Sequence, residues 1–283
     1  MNNSLEIKGL VKNYDGFSLK EVGFAVPKGS VMGFIGQNGA GKTTTIKSIL
    51  NLIKRNGGEI KIFGLDNIAN EEQIKQDISV VFDEICFHDS LNARQLNNVF
   101  KHIYKNWSES VYFDYVKRFD LPLKKKIKAF SRGMKMKIQI AVALSHNAKL
   151  LILDEPTSGL DPVVRGEILD VFMEYMQNEE NSILISSHLT SDLERIADYI
   201  TFINKGAILL SDSKDEILES HAIIKCSKAD VDKIDKSDII GTRITEFGAE
   251  VMVRDCAGKY PFTTDSATLD DIMRFYCKGG GEL

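Results

Sequence analysis

Gly36-Gln37-Asn38-Gly39-Ala40-Gly41-Lys42-Thr43-Thr44 fills every position of the pattern Gly, four residues, then Gly-Lys-Ser/Thr. Ahead of it, Val31-Met32-Gly33-Phe34-Ile35 reads as a short buried strand. After it, Ile46, Ile49, Leu50 and Ile53 recur at helical spacing. Small residues let the backbone curl so that successive N–H groups face an anion, and the following helix adds the positive end of its dipole. Lys42 is placed to neutralise β- and γ-phosphate charge, and the Thr43 hydroxyl to meet Mg²⁺. A glycine-rich turn with a stray lysine would not need the strand before it or the helix after it. The stretch reads as a nucleotide-phosphate site.

The bulk properties bound what such a site can serve. At 283 residues the chain has room for about two ordinary domains. Its 43% hydrophobic and 27% charged residues are those of a globular protein with a full core. No run approaches the ~18 apolar residues of a membrane span, and the first residues lack the basic and apolar segments of a signal peptide. Membrane work would therefore need a separate anchor. Cys86, Cys226, Cys256 and Cys277 lie far apart without a Cys-x-x-Cys pair, which fits free thiols rather than a metal site. A formal net charge of −4 argues against general nucleic-acid affinity. Between Lys117 and Lys137, however, nine Lys or Arg face one acid, Asp120. Such a run is most simply a solvated face.

Strands are expected at Leu5 to Lys12, Ser18 to Val26, Glu59 to Phe63, Ile78 to Phe82, Leu150 to Leu153, Ser182 to Ser186, Tyr199 to Ile203 and Ala207 to Leu210. From about Ile85 to Asn147 strand signals vanish, which suggests a helical insertion between two strands of one sheet. Asp161-Pro162 reads as a helix N-cap followed by proline at the first helical position. Ser191-Asp192-Leu193-Glu194 and Ser213-Lys214-Asp215-Glu216 both read as capping boxes. Strands alternating with helices imply an α/β fold with a mostly parallel sheet, preceded by an antiparallel N-terminal β region. Beyond His221, strands at Ile239 to Phe247 and Ala249 to Arg254 and a helix from Thr268 to Tyr276 suggest a small α+β unit, and Gly279-Gly280-Gly281 a frayed tail. The expected division is 1–220, with the insertion at about 85–147, and 221–283.

Leu150-Leu151-Ile152-Leu153-Asp154-Glu155 is an apolar strand ending in two acids. Beside a phosphate loop, Asp154 can reach Mg²⁺ and Glu155 can deprotonate the water that attacks the γ-phosphate. With Asp154 to Pro162 following the strand, Phe130-Ser131-Arg132-Gly133-Met134 before it and Ser186-Ser187-His188 after it, residues 5–210 resemble the nucleotide-binding subunits of ATP-binding cassette (ABC) transporters. The resemblance implies a P-loop NTPase core with Walker A at Gly36 to Thr44 and Walker B at Asp154 and Glu155. It further implies a switch histidine at His188, an adenine-stacking ring at Tyr14 and a signature at Ser131, Arg132 and Gly133. Ser131 is a natural cap for the next helix, and such a cap is a second anion site. In this family that site closes on ATP held by another copy, so two ATPs are sandwiched head to tail.

Two departures stand out. The family's usual signature is Leu-Ser-Gly-Gly-Gln, so Arg132 and Met134 are substitutions; Arg132 adds a cation near an incoming γ-phosphate. Asp83 stands where the family has a metal-bound Gln, and a carboxylate remains a competent ligand for a hard cation. The resemblance implies an ATPase using ATP and Mg²⁺, held at the cytoplasmic face by a membrane permease, with no nucleic acid as partner. The permease would dock around Ile85, Phe87 and Leu91. Asp154-Glu155 with Ser-Arg-Gly-Met looks most like bacterial exporter subunits. A soluble or regulatory ATPase of the same family is the alternative. A GTPase would want an acid after Asn204-Lys205, where Gly206-Ala207 stands.

Overall fold

The computed structural model describes residues 3–255 and 258–278; Cys256 and the Gly279 to Gly281 tail lie outside them. Two long strands, β1 (Asn3–Tyr14) and β2 (Phe17–Pro27), form the antiparallel hairpin expected around Asp15-Gly16. β3 (Val31–Ile35) is buried along its whole length and leads into α1 (Lys42–Ile49). β4 (Gly57–Ile62) and the short β5 (Leu65–Asp66) complete a first sheet in the order β2-β1-β4-β5. α2 (Glu71–Asp77) and β6 (Ile78–Val81) follow.

The next segment is helical, as its lost strand periodicity suggests: α3 (Ala93–Phe100), α4 (Glu109–Arg118), a 3-10 turn at Ile127–Ala129 and α5 (Arg132–Ala143). Its basic run is mostly a solvated face. Lys124, Lys125, Lys126 and Lys128 are exposed, while Arg118 pairs with Glu174 at 2.5 Å and Lys137 with Glu167 at 2.7 Å. Ile85, Phe87 and Leu91 are half-buried and pack inward on the main core.

The chain then returns to the central sheet with β7 (Leu150–Asp154), α6 (Pro162–Tyr175), β8 (Ser182–Ser187), α7 (Thr190–Ile196), β9 (Tyr199–Asn204) and β10 (Ala207–Ser213). The strand order is β10-β9-β3-β8-β7-β6, all parallel except β10. The Asp161 carboxylate caps α6, accepting from the N–H groups of Val163 and Val164, with Pro162 at the first helical position. Such a cap contributes about 1 kcal/mol.

Neither of the two expected capping boxes is complete; the Ser213 N–H bonds to Asp212 rather than to Glu216. Ser213 caps α8 (Lys214–Ser220) through the Glu216 N–H, but α7 starts at Leu189 with no side-chain cap. Ser191 and Asp192 lie inside that helix with other work. Asp192, 1% exposed, accepts from the Thr157 hydroxyl at 2.6 Å and pairs with Arg165, whose guanidinium also reaches Ser191. A buried carboxylate with two partners outweighs a cap that Leu189 supplies by backbone alone.

From His221 the chain forms a third sheet, fully antiparallel: β11 (His221–Cys226), β12 (Ile239–Ile244), β13 (Ala249–Arg254) and β14 (Thr263–Ser266), in the order β12-β13-β11-β14. β12 ends three residues short of the expected Phe247, because Thr245 closes a turn onto the Gly248 carbonyl and leaves Phe247 98% exposed. α9 (Leu269–Lys278) packs back on α7 and the core beneath the central sheet. Its Leu269, Ile272 and Phe275 join the same buried cluster as Ile200 and Phe202, and the Leu269 N–H donates to Glu194.

Under the helical segment lies a polar knot. His146, 1% exposed, stacks on Tyr104 with ring centroids 3.7 Å apart and donates through Nε2 to Ser79 Oγ, which donates to the Ala143 carbonyl. Its Nδ1 has no hydrogen-bond partner, and burial pushes its pKa down to about 4. The folded chain therefore keeps His146 neutral where the unfolded chain takes a proton, between an ordinary value near 6.5 and about 4. We predict that stability falls over that window as pH drops, by about 3 kcal/mol from this residue at most. Denaturant melts of His146→Gln should lose that part of the pH slope, and an unchanged slope would contradict the assignment.

Candidate nucleotide site

Parallel strands in one sheet end at the same edge, and loops leaving adjacent strands meet there. The neighbours β3, β8, β7 and β6 deliver, in that order, the phosphate loop, His188, Asp154 with Glu155, and Asp83. A cavity of about 510 Å³ opens between them. Gln37, Asn38, Gly39, Gly41, Lys42, Thr43 and Thr44 line it together with Phe17, Asp83, Asp154 and Glu155.

The loop is shaped by its own residues. Gly41 sits at the N-cap of α1 with φ +117°, and an added Cβ would lie 2.7 Å from Leu19 Cδ2, so both conformation and space require glycine. The first-turn N–H groups of α1 have no carbonyl behind them and face outward, available to an anion. Lys42 is 5% exposed; its ammonium donates to the Gly36 carbonyl at 2.6 Å and the Gln37 carbonyl at 3.3 Å. Gly36, Gln37 and Ala40 thus belong to the loop's inner turn, closed by the Ala40 N–H on the Gln37 carbonyl.

Glu155 connects the two halves of the site. Its Oε1 lies 3.1 Å from Lys42 Nζ, an ion pair without hydrogen-bond alignment, and its Oε2 accepts from His188 Nδ1 at 2.7 Å. Its backbone is left-handed, φ +53°, an uncommon conformation for a side-chain-bearing residue. Two bonds from its N–H, to the Ser186 carbonyl and the Ser186 hydroxyl, hold it there. The same hydroxyl donates to Asp154 Oδ1 at 2.7 Å, orienting the neighbouring carboxylate. A metal ion is tested by the chemistry of these donors. Thr43, Asp83 and Asp154 present a hydroxyl and two carboxylates to one cavity, which suits a hard cation such as Mg²⁺.

The remaining expected residues divide. Tyr14 does not line this cavity. It ends β1, 48% exposed, with Lys12 Nζ 4.8 Å from its ring centroid, and its register partner Phe17 lines the cavity instead. Both stand at the end of one hairpin, and only Phe17 is turned toward the loop. No local signal in the sequence marks Phe17, since its place at the cavity depends on how the hairpin packs. Ser131 caps α5 through the Met134 N–H, but Ser131, Arg132 and Gly133 are not among the residues lining the phosphate cavity. Arg132 instead pairs with Asp83 at 2.5 Å. His221 and His146 are buried packing residues, His221 held between the Ile217 carbonyl and the Tyr276 hydroxyl.

Residues 19–158 match the family model described as ABC transporter. The chain is 36% identical to the lantibiotic transport ATP-binding protein SrtF of Streptococcus pyogenes, covering 75% of this chain and 91% of that one. It is 35% identical to the bacitracin transport ATP-binding protein BcrA of Bacillus licheniformis, over 74% and 69%. A solved ATP-binding subunit of an ABC transporter superposes with a TM-score of 0.69 at 29% identity, covering 76% of this chain and 92% of that one. The phosphate loop, the paired acids and the strand order fall inside these matches, and the chain belongs to the ATP-binding, ATP-hydrolysing subunits of ABC transporters.

Proposed function

We propose that two copies of this chain close head to tail on two ATPs, and that the cycle of closing and reopening drives a separate membrane permease in export. The observation that carries the reading is the division of the site. Lys42 and Glu155 meet at one cavity, with His188 hydrogen-bonded to Glu155, while the Ser131 cap makes no contact with that group and on this reading takes its nucleotide from elsewhere. A solved cassette dimer in a post-hydrolysis state with ADP and phosphate shares the fold, with a TM-score of 0.67 at 20% identity. Among the described residues no helix is long and apolar enough to cross a membrane; the separate permease and a place at its cytoplasmic side are drawn from the family. The permease docks on the segment from Ile85 to Leu91, beside the approximately 460 Å³ cavity that Ile85 and Arg132 help to line. Export follows from the transport of bacitracin and lantibiotics named for the relatives.

The site residues take the following roles. Lys42 and the first-turn N–H groups of α1 hold the β- and γ-phosphates. The Tyr14 and Phe17 end of the hairpin offers an aromatic face to adenine, with Phe17 already at the cavity wall. Thr43, Asp154 and Asp83 hold Mg²⁺, which when bound neutralises phosphate charge. Glu155 orients the attacking water and takes its proton, and His188 fixes the carboxylate through Oε2 and faces the γ-phosphate. Ser131, Arg132 and Gly133 meet the γ-phosphate of the partner copy's nucleotide through a helix N-terminus.

Lys42→Ala should weaken ATP binding by roughly a hundredfold or more, since a buried charge-assisted contact is lost. Titration calorimetry showing near-normal affinity would contradict the loop assignment. Glu155→Gln should keep ATP affinity but lose about 10²–10⁴-fold in turnover, and it should sediment as a dimer with ATP and Mg²⁺. Retained turnover would remove Glu155 from the role of base, and a monomer would count against the sandwich.

A further inference from the structure

The two departures from the family pattern, Asp83 and Arg132, are in contact. Arg132 Nη2 lies 2.5 Å from Asp83 Oδ1, with both side chains about half exposed. Asp83 lines the phosphate cavity with Thr43, Asp154 and Glu155, and Arg132 is the first residue of α5, immediately after the Ser131 cap. The guanidinium also lies flat against Gly159, where an added Cβ would stand 2.9 Å from Arg132 Cζ. A second tie between α5 and this segment, Gln139 Nε2 donating to the Phe82 carbonyl at 3.2 Å, is to backbone and carries no charge.

We propose that the Asp83–Arg132 pair is a latch between the two nucleotide sites of the dimer. The proposal rests on the head-to-tail reading above. In that arrangement Asp83 serves its own chain's site and Arg132 serves the partner's. The Asp83 carboxylate faces competing cations: the guanidinium, and a divalent ion held with Thr43 and Asp154. An exposed ion pair is worth at most ~1 kcal/mol, whereas a divalent ion is the largest local charge in such a site. Mg²⁺-nucleotide in a chain's own cavity therefore draws Asp83 away and frees Arg132 for the γ-phosphate in the other site. Binding at one site prepares the other, and the coupling is reciprocal.

The latch has a signature in a single chain. Part of the Mg²⁺-ATP binding energy is spent in breaking the pair, so Arg132→Gln should tighten Mg²⁺-ATP binding about threefold to fivefold. The affinity for ATP in EDTA should not change, and Arg132→Lys should fall between. The tightening should vanish in an Asp83→Asn background. The measurement is titration calorimetry with Mg²⁺-ATP and with ATP in EDTA, at protein dilutions where sedimentation shows one chain. Unchanged Mg²⁺-ATP affinity, an equal change in EDTA, or tightening that persists with Asp83→Asn would overturn the latch while leaving the site intact. Wild-type chain that binds ATP in neither condition would overturn the nucleotide site itself, and the latch with it.

Discussion

The buried ammonium of Lys42 is the constraint around which the site is arranged. A charge 5% exposed must be compensated within reach, and it is: two loop carbonyls and the Glu155 carboxylate surround it. Those contacts give the loop its curl and place Glu155 against the phosphate position. With its left-handed backbone held by Ser186, Glu155 turns its carboxylate to both Lys42 and His188. On the proposed reading, a γ-phosphate entering between Lys42 and Glu155 would take over the ammonium and leave the carboxylate free for water. The resting ion pair thus rehearses the charge pattern of the reaction.

The parallel sheet makes that arrangement possible. Adjacent strands β3, β8, β7 and β6 place residues more than a hundred positions apart in sequence at one edge. The helical segment enters at β6 and returns at β7, so Asp83 at its start and Ser131 near its end are tied to the same sheet edge. Asp83, Arg132 and the Gln139–Phe82 bond link that segment to the site. The antiparallel unit from His221 is not a free appendage. α9 shares the main core, and Tyr276 meets Phe202 edge-on at 5.9 Å.

Legibility followed the physics of each signal. β3 and β7 are buried throughout, and their apolar runs announced them; Asp161-Pro162 marked its helix because capping is local. β14 is exposed at every position and reads Thr-Thr-Asp-Ser, so only its partner β11 makes it a strand. The Ser191 capping box failed because Ser191 is engaged by Arg165 inside the helix, beside the Asp192 carboxylate that Thr157 and Arg165 hold. Within the site, Lys42, Asp154, Glu155 and His188 were readable from motif and order. The place of Phe17 and the pairing of Arg132 with Asp83 were not, since both depend on which side chains the folded hairpin and α5 turn inward.

If each working site is built from two chains, two variants that are inactive alone should complement one another when mixed. A chain with Lys42→Ala keeps its signature cap, and one with Ser131→Arg keeps its phosphate loop. In a mixed dimer one composite site is whole and the other doubly impaired. Each variant alone should be nearly inactive in ATP hydrolysis, and mixing should restore turnover well above either. Mixed dimers that form without recovering turnover, or full activity of Ser131→Arg alone, would contradict a site shared between two chains.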